Sequence, residues 1–129
     1  MFSLRTLAFL AVGAVCGTTG RYAIGMWLSR WSFAPPDFPW PTFIINVTGS
    51  LLLGFLMRYL TGVASTPHVR LMLTTGFCGA YTTMSTFSYE FISLMTERQY
   101  LTAAFYMGGT MVLAPAACMV GFAVAEAIL

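Results

Sequence analysis

The amino-acid sequence predicts an all-α membrane protein with four transmembrane helices in a single domain, residues 1–129. Of the 129 residues, 58% are hydrophobic and 8% are charged, and the mean hydropathy is +0.79. A soluble domain carries roughly 25% charged residues, so this chain has too few polar side chains to cover a soluble core. A spanning helix needs about 20 largely apolar residues, and four such runs are present. They lie at about residues 4–30, 41–60, 70–96 and 100–128.

The first span combines small residues with one positive charge. Gly13 and Gly17 are four residues apart and share a helix face, which allows another helix to approach closely in a membrane. Arg21 lies inside the apolar stretch. Its side chain either extends to the interface or faces a wet vestibule that attracts anions. The following segment, residues 31–41, holds four prolines and cannot be helical.

The second span begins at Pro41, because a proline in the first turn needs no N–H. Asn46 follows within the apolar run, together with Thr48 and Ser50. An amide in this position either forms a hydrogen bond across a helix interface or provides two uncharged N–H donors to a small anion.

The third span carries the strongest polar signal. Residues 74–88 include two glycines and seven serines or threonines. Hydroxyl side chains bend helices and glycine loosens them, so we expect the helix to break near residues 79–82. Broken backbone at membrane depth survives only where it is buried in protein or lines water. Freed carbonyls could then hold a cation, and the start of the second half-helix would favour an anion. The alternative is a hydroxyl-rich packing seam.

The fourth span places Tyr106 and Thr110 four residues apart on one face, as either a hydroxyl track or ordinary packing. Glu90, near the end of the third span, either reaches the interface or pairs with an arginine of another copy.

The arginines set the orientation only weakly. Four spans put both termini on one side, together with Arg5, Arg58 and Arg70, whereas Arg30 and Arg98 lie on the other. Positive residues in short loops decide orientation, and this distribution is nearly balanced. The chain therefore inserts in one direction with a weak signal, or in both directions to form an antiparallel dimer.

Several function classes are excluded by what the sequence lacks. It contains no phosphate-binding loop, no metal-ligand cluster and no activated nucleophile pattern, so we expect no enzyme activity. The scattered arginines and the absence of lysine argue against a nucleic-acid partner.

The motifs, in order and over nearly the whole chain, resemble those of the small bacterial fluoride channels of the Fluc (CrcB) family. The matching features are Gly13 to Tyr22 in the first span, residues 41–49 with Asn46, residues 75–88, and Tyr106 with Thr110. The chain departs from the family at Met84, where a phenylalanine is usual, at Ala80 in place of a glycine, and at Ala114 in place of a serine.

The resemblance implies a dual-topology antiparallel homodimer in the lipid bilayer of the bacterial inner membrane, with two pores that export fluoride passively. It implies a sodium ion at the dimer centre, held by the backbone carbonyls of Gly79 and Thr82. Arg21 would line an electropositive vestibule. The residues that it assigns to the fluoride pore are Asn46, Met84, Ser85, Thr86, Phe87, Tyr106 and Thr110.

Two other functions are compatible with four small spans. One is a proton-coupled multidrug exporter that uses Glu90, although that class prefers a glutamate deep in the first span. The other is a non-transporting membrane assembly subunit, which would explain the glycines but not a polar broken helix.

Overall fold

A computed structural model describes residues 3–129, and every regular element in that range is helical. The elements in chain order are α1 (Leu4–Leu28), α2 (Trp40–Gly62), α3 (Pro67–Leu71), a π-helical segment (Met72–Cys78), α4 (Gly79–Tyr81), α5 (Met84–Thr96) and α6 (Tyr100–Ile128).

Three of these helices, α1, α2 and α6, are long and apolar enough to cross a membrane by length and composition. The remaining predicted span, residues 70–96, is divided among shorter segments. Its interruption lies at Thr82 and Thr83, both of which are extended, with φ/ψ of −81°/158° and −149°/113°. The prediction of a broken third helix is therefore confirmed, with the break at the carboxyl end of the expected window.

Local sequence explains where the helices begin. The Ser3 hydroxyl accepts the Thr6 N–H at 3.1 Å and caps α1, and Pro41 occupies the first turn of α2. Thr83 caps α5 in the same way, because its hydroxyl accepts the Thr86 N–H at 3.2 Å. The threonine that follows the break thus starts the next helix.

Glycines bring the helices into close contact. A methyl group at Gly54 would lie 2.8 Å from the Cys118 carbonyl carbon, and one at Gly121 would lie 3.0 Å from the Leu51 carbonyl carbon, so α2 and α6 touch backbone to backbone. Gly13 is similarly close to the Met72 backbone. Such contacts are how helices associate tightly where no hydrophobic driving force acts between them.

The π-helical segment Met72–Cys78 was not predicted. It lies against α1, at the level where Gly13 and Gly17 remove the side chains that would otherwise hold the two backbones apart. π-Helical turns occur preferentially at functional sites. Here the turn leads directly into the broken part of the third crossing.

Candidate functional site

The break in the third crossing is held by the side chain of Asn46 on α2. The Asn46 amide nitrogen donates to the Thr83 carbonyl at 3.1 Å, and the Thr83 N–H donates to Asn46 Oδ1 at 2.8 Å. Both residues are buried. The amide therefore pairs with the Thr83 backbone as a second peptide group would, and one Asn46 N–H is left for another partner.

This pairing changes the hydrogen bonding of the preceding turn. In a continuous α-helix the Thr83 N–H would donate to the Gly79 carbonyl, four residues earlier. Because that N–H is bound to Asn46, the Gly79 carbonyl lacks its helical donor. The carbonyl of Thr82, the residue before Thr83, accepts a hydrogen bond from the Arg21 guanidinium. Its length of 3.4 Å makes this a long contact.

Hydroxyl groups surround the start of α5. Thr83 Oγ1 donates to Thr86 Oγ1 at 3.0 Å and lies 3.3 Å from Ser85 Oγ. Ser85 and Thr86 are exposed. The N-terminus of a helix carries a partial positive charge, so this end of α5 favours an anion.

A cavity of about 650 Å³ opens beside the break. Arg21 and Arg30 line it together with Thr42, Thr83 and Thr86. Two guanidinium groups and several hydroxyls bring positive charge and hydrogen-bond donors to a cavity whose remaining lining is apolar. Arg30 was not predicted to belong to it.

A second polar cluster joins α2, α5 and α6. The Tyr106 hydroxyl donates to Glu90 Oε2 at 2.6 Å, and the Thr42 hydroxyl donates to Glu90 Oε1 at 2.8 Å. The Tyr106 and Phe87 rings lie 4.9 Å apart, and both side chains are buried. A carboxylate inside this helical bundle is thereby bound by one hydroxyl on each oxygen.

The residues predicted for the pore, the vestibule and the sodium site fall into three groups. Asn46, Ser85 and Thr86 lie at the break, with Arg21 beside them, and Phe87 and Tyr106 lie in the second cluster. Thr110 is buried one turn further along α6, and its hydroxyl donates to the Tyr106 carbonyl at 2.7 Å.

The third group faces outward in the single chain. Met84 is 64% exposed, whereas Phe87, three residues later, is buried. Gly79 is exposed and Thr82 is half-buried. A methyl group at Gly79 would meet nothing within 4 Å.

Sequence reasoning missed two parts of the site. Thr83 was one hydroxyl among seven in its segment, and nothing local marked it as the partner of Asn46. Thr42 precedes Asn46 by four residues, so their shared helix face was a usable signal. The Thr42 and Tyr106 bonds to Glu90 depend on how α2, α5 and α6 pack, and no sequence spacing reveals them.

Comparison with known proteins gives consistent matches. Residues 8–122 match the family described as CrcB-like protein, Camphor Resistance (CrcB). The fluoride-specific ion channel FluC of Hydrogenobaculum sp. (strain Y04AAS1) is 44% identical over 111 residues, which cover 85% of this chain and 88% of that protein. FluC of Nitrobacter winogradskyi is 38% identical over 92% of this chain and 94% of its own length. FluC of Rhizobium meliloti (strain 1021) is 34% identical over 97% of this chain and 99% of its own length.

Proposed function

This chain belongs to the CrcB-like family, and from that membership we propose that it is a fluoride-selective ion channel through which fluoride leaves the cell passively. It is a multi-pass membrane protein and not an enzyme. The observation that carries the proposal is the interrupted third crossing, where Asn46 and the threonines of the break gather uncharged N–H and O–H donors beside an arginine-lined cavity.

Uncharged donors suit fluoride because this ion is small and holds its water tightly. A pore must replace that water with several donors at once, yet bind weakly enough to release the ion. The remaining N–H of Asn46 and the exposed hydroxyls of Ser85 and Thr86 meet this requirement at the start of α5. Arg21 and Arg30 would raise the local anion concentration at the cavity without binding fluoride at the narrow part of the path.

Beyond the break, we assign Phe87, Tyr106 and Thr110 to the pore. The edge of an aromatic ring carries partial positive charge and can face an anion. The Tyr106 hydroxyl donates to Glu90 and the Thr110 hydroxyl to its own helix. Each would therefore have to exchange its present acceptor for fluoride as the ion passes.

We further propose that two copies assemble antiparallel, by insertion in both orientations into the bacterial inner membrane. Gly79 and Met84, on either side of the non-helical Thr82 and Thr83, are exposed, and Thr82 itself is half-buried. Non-helical backbone at membrane depth must be covered by protein or water, and a second copy would cover it. Three arginines on one side against two on the other leave both orientations accessible. In this arrangement Met84 faces the partner, in place of the family's usual ring.

The carbonyls of Gly79 and Thr82 are suitable ligands for the sodium ion expected at the dimer centre. Carbonyl oxygens of unwound membrane helices are typical Na⁺ ligands. The Gly79 carbonyl lacks its helical donor. Among residues 3–129, the Thr82 carbonyl accepts only the long contact from Arg21, so both carbonyls retain lone pairs. A bound sodium ion would supply a fixed positive charge that joins the two broken crossings.

Fluoride efflux from proteoliposomes tests the function. The wild-type protein should release fluoride and retain chloride, and Asn46→Asp should reduce fluoride efflux to the level of protein-free vesicles, because a carboxylate replaces the donors with a negative acceptor. Ser50→Ala is the matched control on the same helix, since the Ser50 hydroxyl donates only to the Asn46 carbonyl of its own helix, at 2.7 Å.

Unimpaired efflux through the Asp variant would contradict the role of Asn46. Equal release of chloride by the wild type would contradict fluoride selectivity. Proton-coupled uptake of a lipophilic cation, abolished by Glu90→Gln, would instead support the exporter alternative. If none of these ions moves, the chain is a non-transporting subunit.

A further inference from the structure

Besides its place on the anion path, Asn46 affects the hydrogen bonding of the Gly79 carbonyl. Its Oδ1 takes the Thr83 N–H at 2.8 Å, the donor that a continuous helix would give to Gly79. Its amide nitrogen also donates to the Thr83 carbonyl at 3.1 Å. The two bonds together satisfy the N–H and C=O groups of the buried Thr83 while its backbone is extended. Without these bonds, the same groups would favour the hydrogen bonds of a continuous helix.

Whether the Gly79 carbonyl has a helical donor depends on the side-chain oxygen of Asn46 and not on its amide nitrogen. As long as an acceptor at position 46 holds the Thr83 N–H, the Gly79 carbonyl has no helical donor. Without that acceptor, the buried N–H must find another partner, and the partner that a continuous α-helix provides is the Gly79 carbonyl. The backbone at Gly79 is also sterically open, because an added methyl group would meet nothing within 4 Å.

We infer that Asn46 is a positioning residue for a cation site, in which its oxygen keeps the Gly79 carbonyl available to a monovalent cation. This inference rests on the proposed sodium site at Gly79 and Thr82. It assigns two separable tasks to one side chain. The Asn46 N–H that is not bound to Thr83 is a donor for the anion path. The Asn46 oxygen keeps the Gly79 carbonyl free of a helical donor.

Two substitutions separate these tasks. Asn46→Asp retains an acceptor for the Thr83 N–H and removes the donors. Asn46→Leu, similar in size, removes both. Ser50→Ala, one turn further along α2, leaves the pairing with Thr83 intact and serves as the control.

The readout is the melting temperature of the purified full-length protein in detergent. It is measured in sodium chloride and in N-methyl-D-glucamine chloride at equal ionic strength. We expect sodium to raise the melting temperature of the wild type, the Ser50→Ala variant and the Asn46→Asp variant by about 5 °C, the scale of a single-ligand effect in a domain of this length. We expect the shift to fall below about 1 °C in Asn46→Leu.

A full sodium shift in Asn46→Leu, or its loss in a folded Asn46→Asp protein, would overturn the inference. If Asn46→Leu does not fold, Asn46→Ala takes its place, because alanine also leaves no acceptor at position 46. A wild type without a sodium-specific shift would overturn the inference as well. Fluoride efflux is measured separately, so in that case the proposed channel function would stand or fall on its own result.

Discussion

Replacing Tyr106 by phenylalanine removes a single hydroxyl from the centre of the helical bundle. That hydroxyl donates to Glu90 Oε2 at 2.6 Å, and the Tyr106 side chain is 0% exposed. The variant keeps the ring and its contact with Phe87, so packing is nearly unchanged. What remains is a carboxylate that has lost one of its two hydroxyl donors and retains only Thr42.

Two general magnitudes bear on the expected cost. Hydrogen bonds to charged groups contribute about 1.5–3 kcal/mol to stability in soluble proteins. Side-chain hydrogen bonds in a membrane protein average about 0.6 kcal/mol and reach about 1.7 kcal/mol. The distance here is in the range of a charge-assisted O–H···O bond, and water does not reach the buried hydroxyl. We therefore expect a loss near the top of the membrane range, about 1.5 kcal/mol, or roughly tenfold in the unfolding equilibrium.

The assay is reversible unfolding in mixed micelles, with Tyr89→Phe as the control because it makes the same chemical change on a side chain that is 74% exposed. A difference between the two variants of less than about 0.5 kcal/mol, the usual range for surface substitutions, would refute the reasoning. It would mean that Glu90 Oε2 recruits another donor once the Tyr106 hydroxyl is removed.

Further outcomes follow from packing and charge. Gly121→Ala places a methyl group 3.0 Å from the Leu51 carbonyl carbon and should destabilise the protein by about 1–3 kcal/mol in the same unfolding assay. Gly108→Ala is the control and should cause no loss of stability, because an added methyl group there meets nothing within 4 Å. Equal losses of stability in the two variants would contradict the backbone contact of α2 and α6. Arg21→Gln should lower fluoride efflux severalfold at low ionic strength and less at physiological salt, where the Debye length is about 8 Å. Arg98→Gln, in a turn away from the cavity, should leave fluoride efflux unchanged at both salt concentrations. A loss of efflux in Arg21→Gln that does not depend on salt would argue against electrostatic attraction.

The helical class and the broken crossing could be predicted because both depend on neighbouring residues. Apolar runs long enough to span a bilayer are visible in any window of the chain. The glycines and hydroxyls of residues 74–88 weaken a helix wherever they lie in space. The position of the break shifted to Thr82 and Thr83 because the Asn46 side chain, 37 residues earlier, provides the competing hydrogen bonds.

By itself, the sequence determined that the chain is helical and apolar, that its third crossing is interrupted and that polar groups accompany the interruption. Only the tertiary structure decided which polar groups meet. It paired Asn46 with the Thr83 backbone, directed the Thr42 and Tyr106 hydroxyls to Glu90, and committed the Thr110 hydroxyl to its own helix. The reason is that a donor in an apolar interior must bond to whatever acceptor packing brings within about 3 Å, and that neighbour is set by the crossing of helices and not by spacing along the chain.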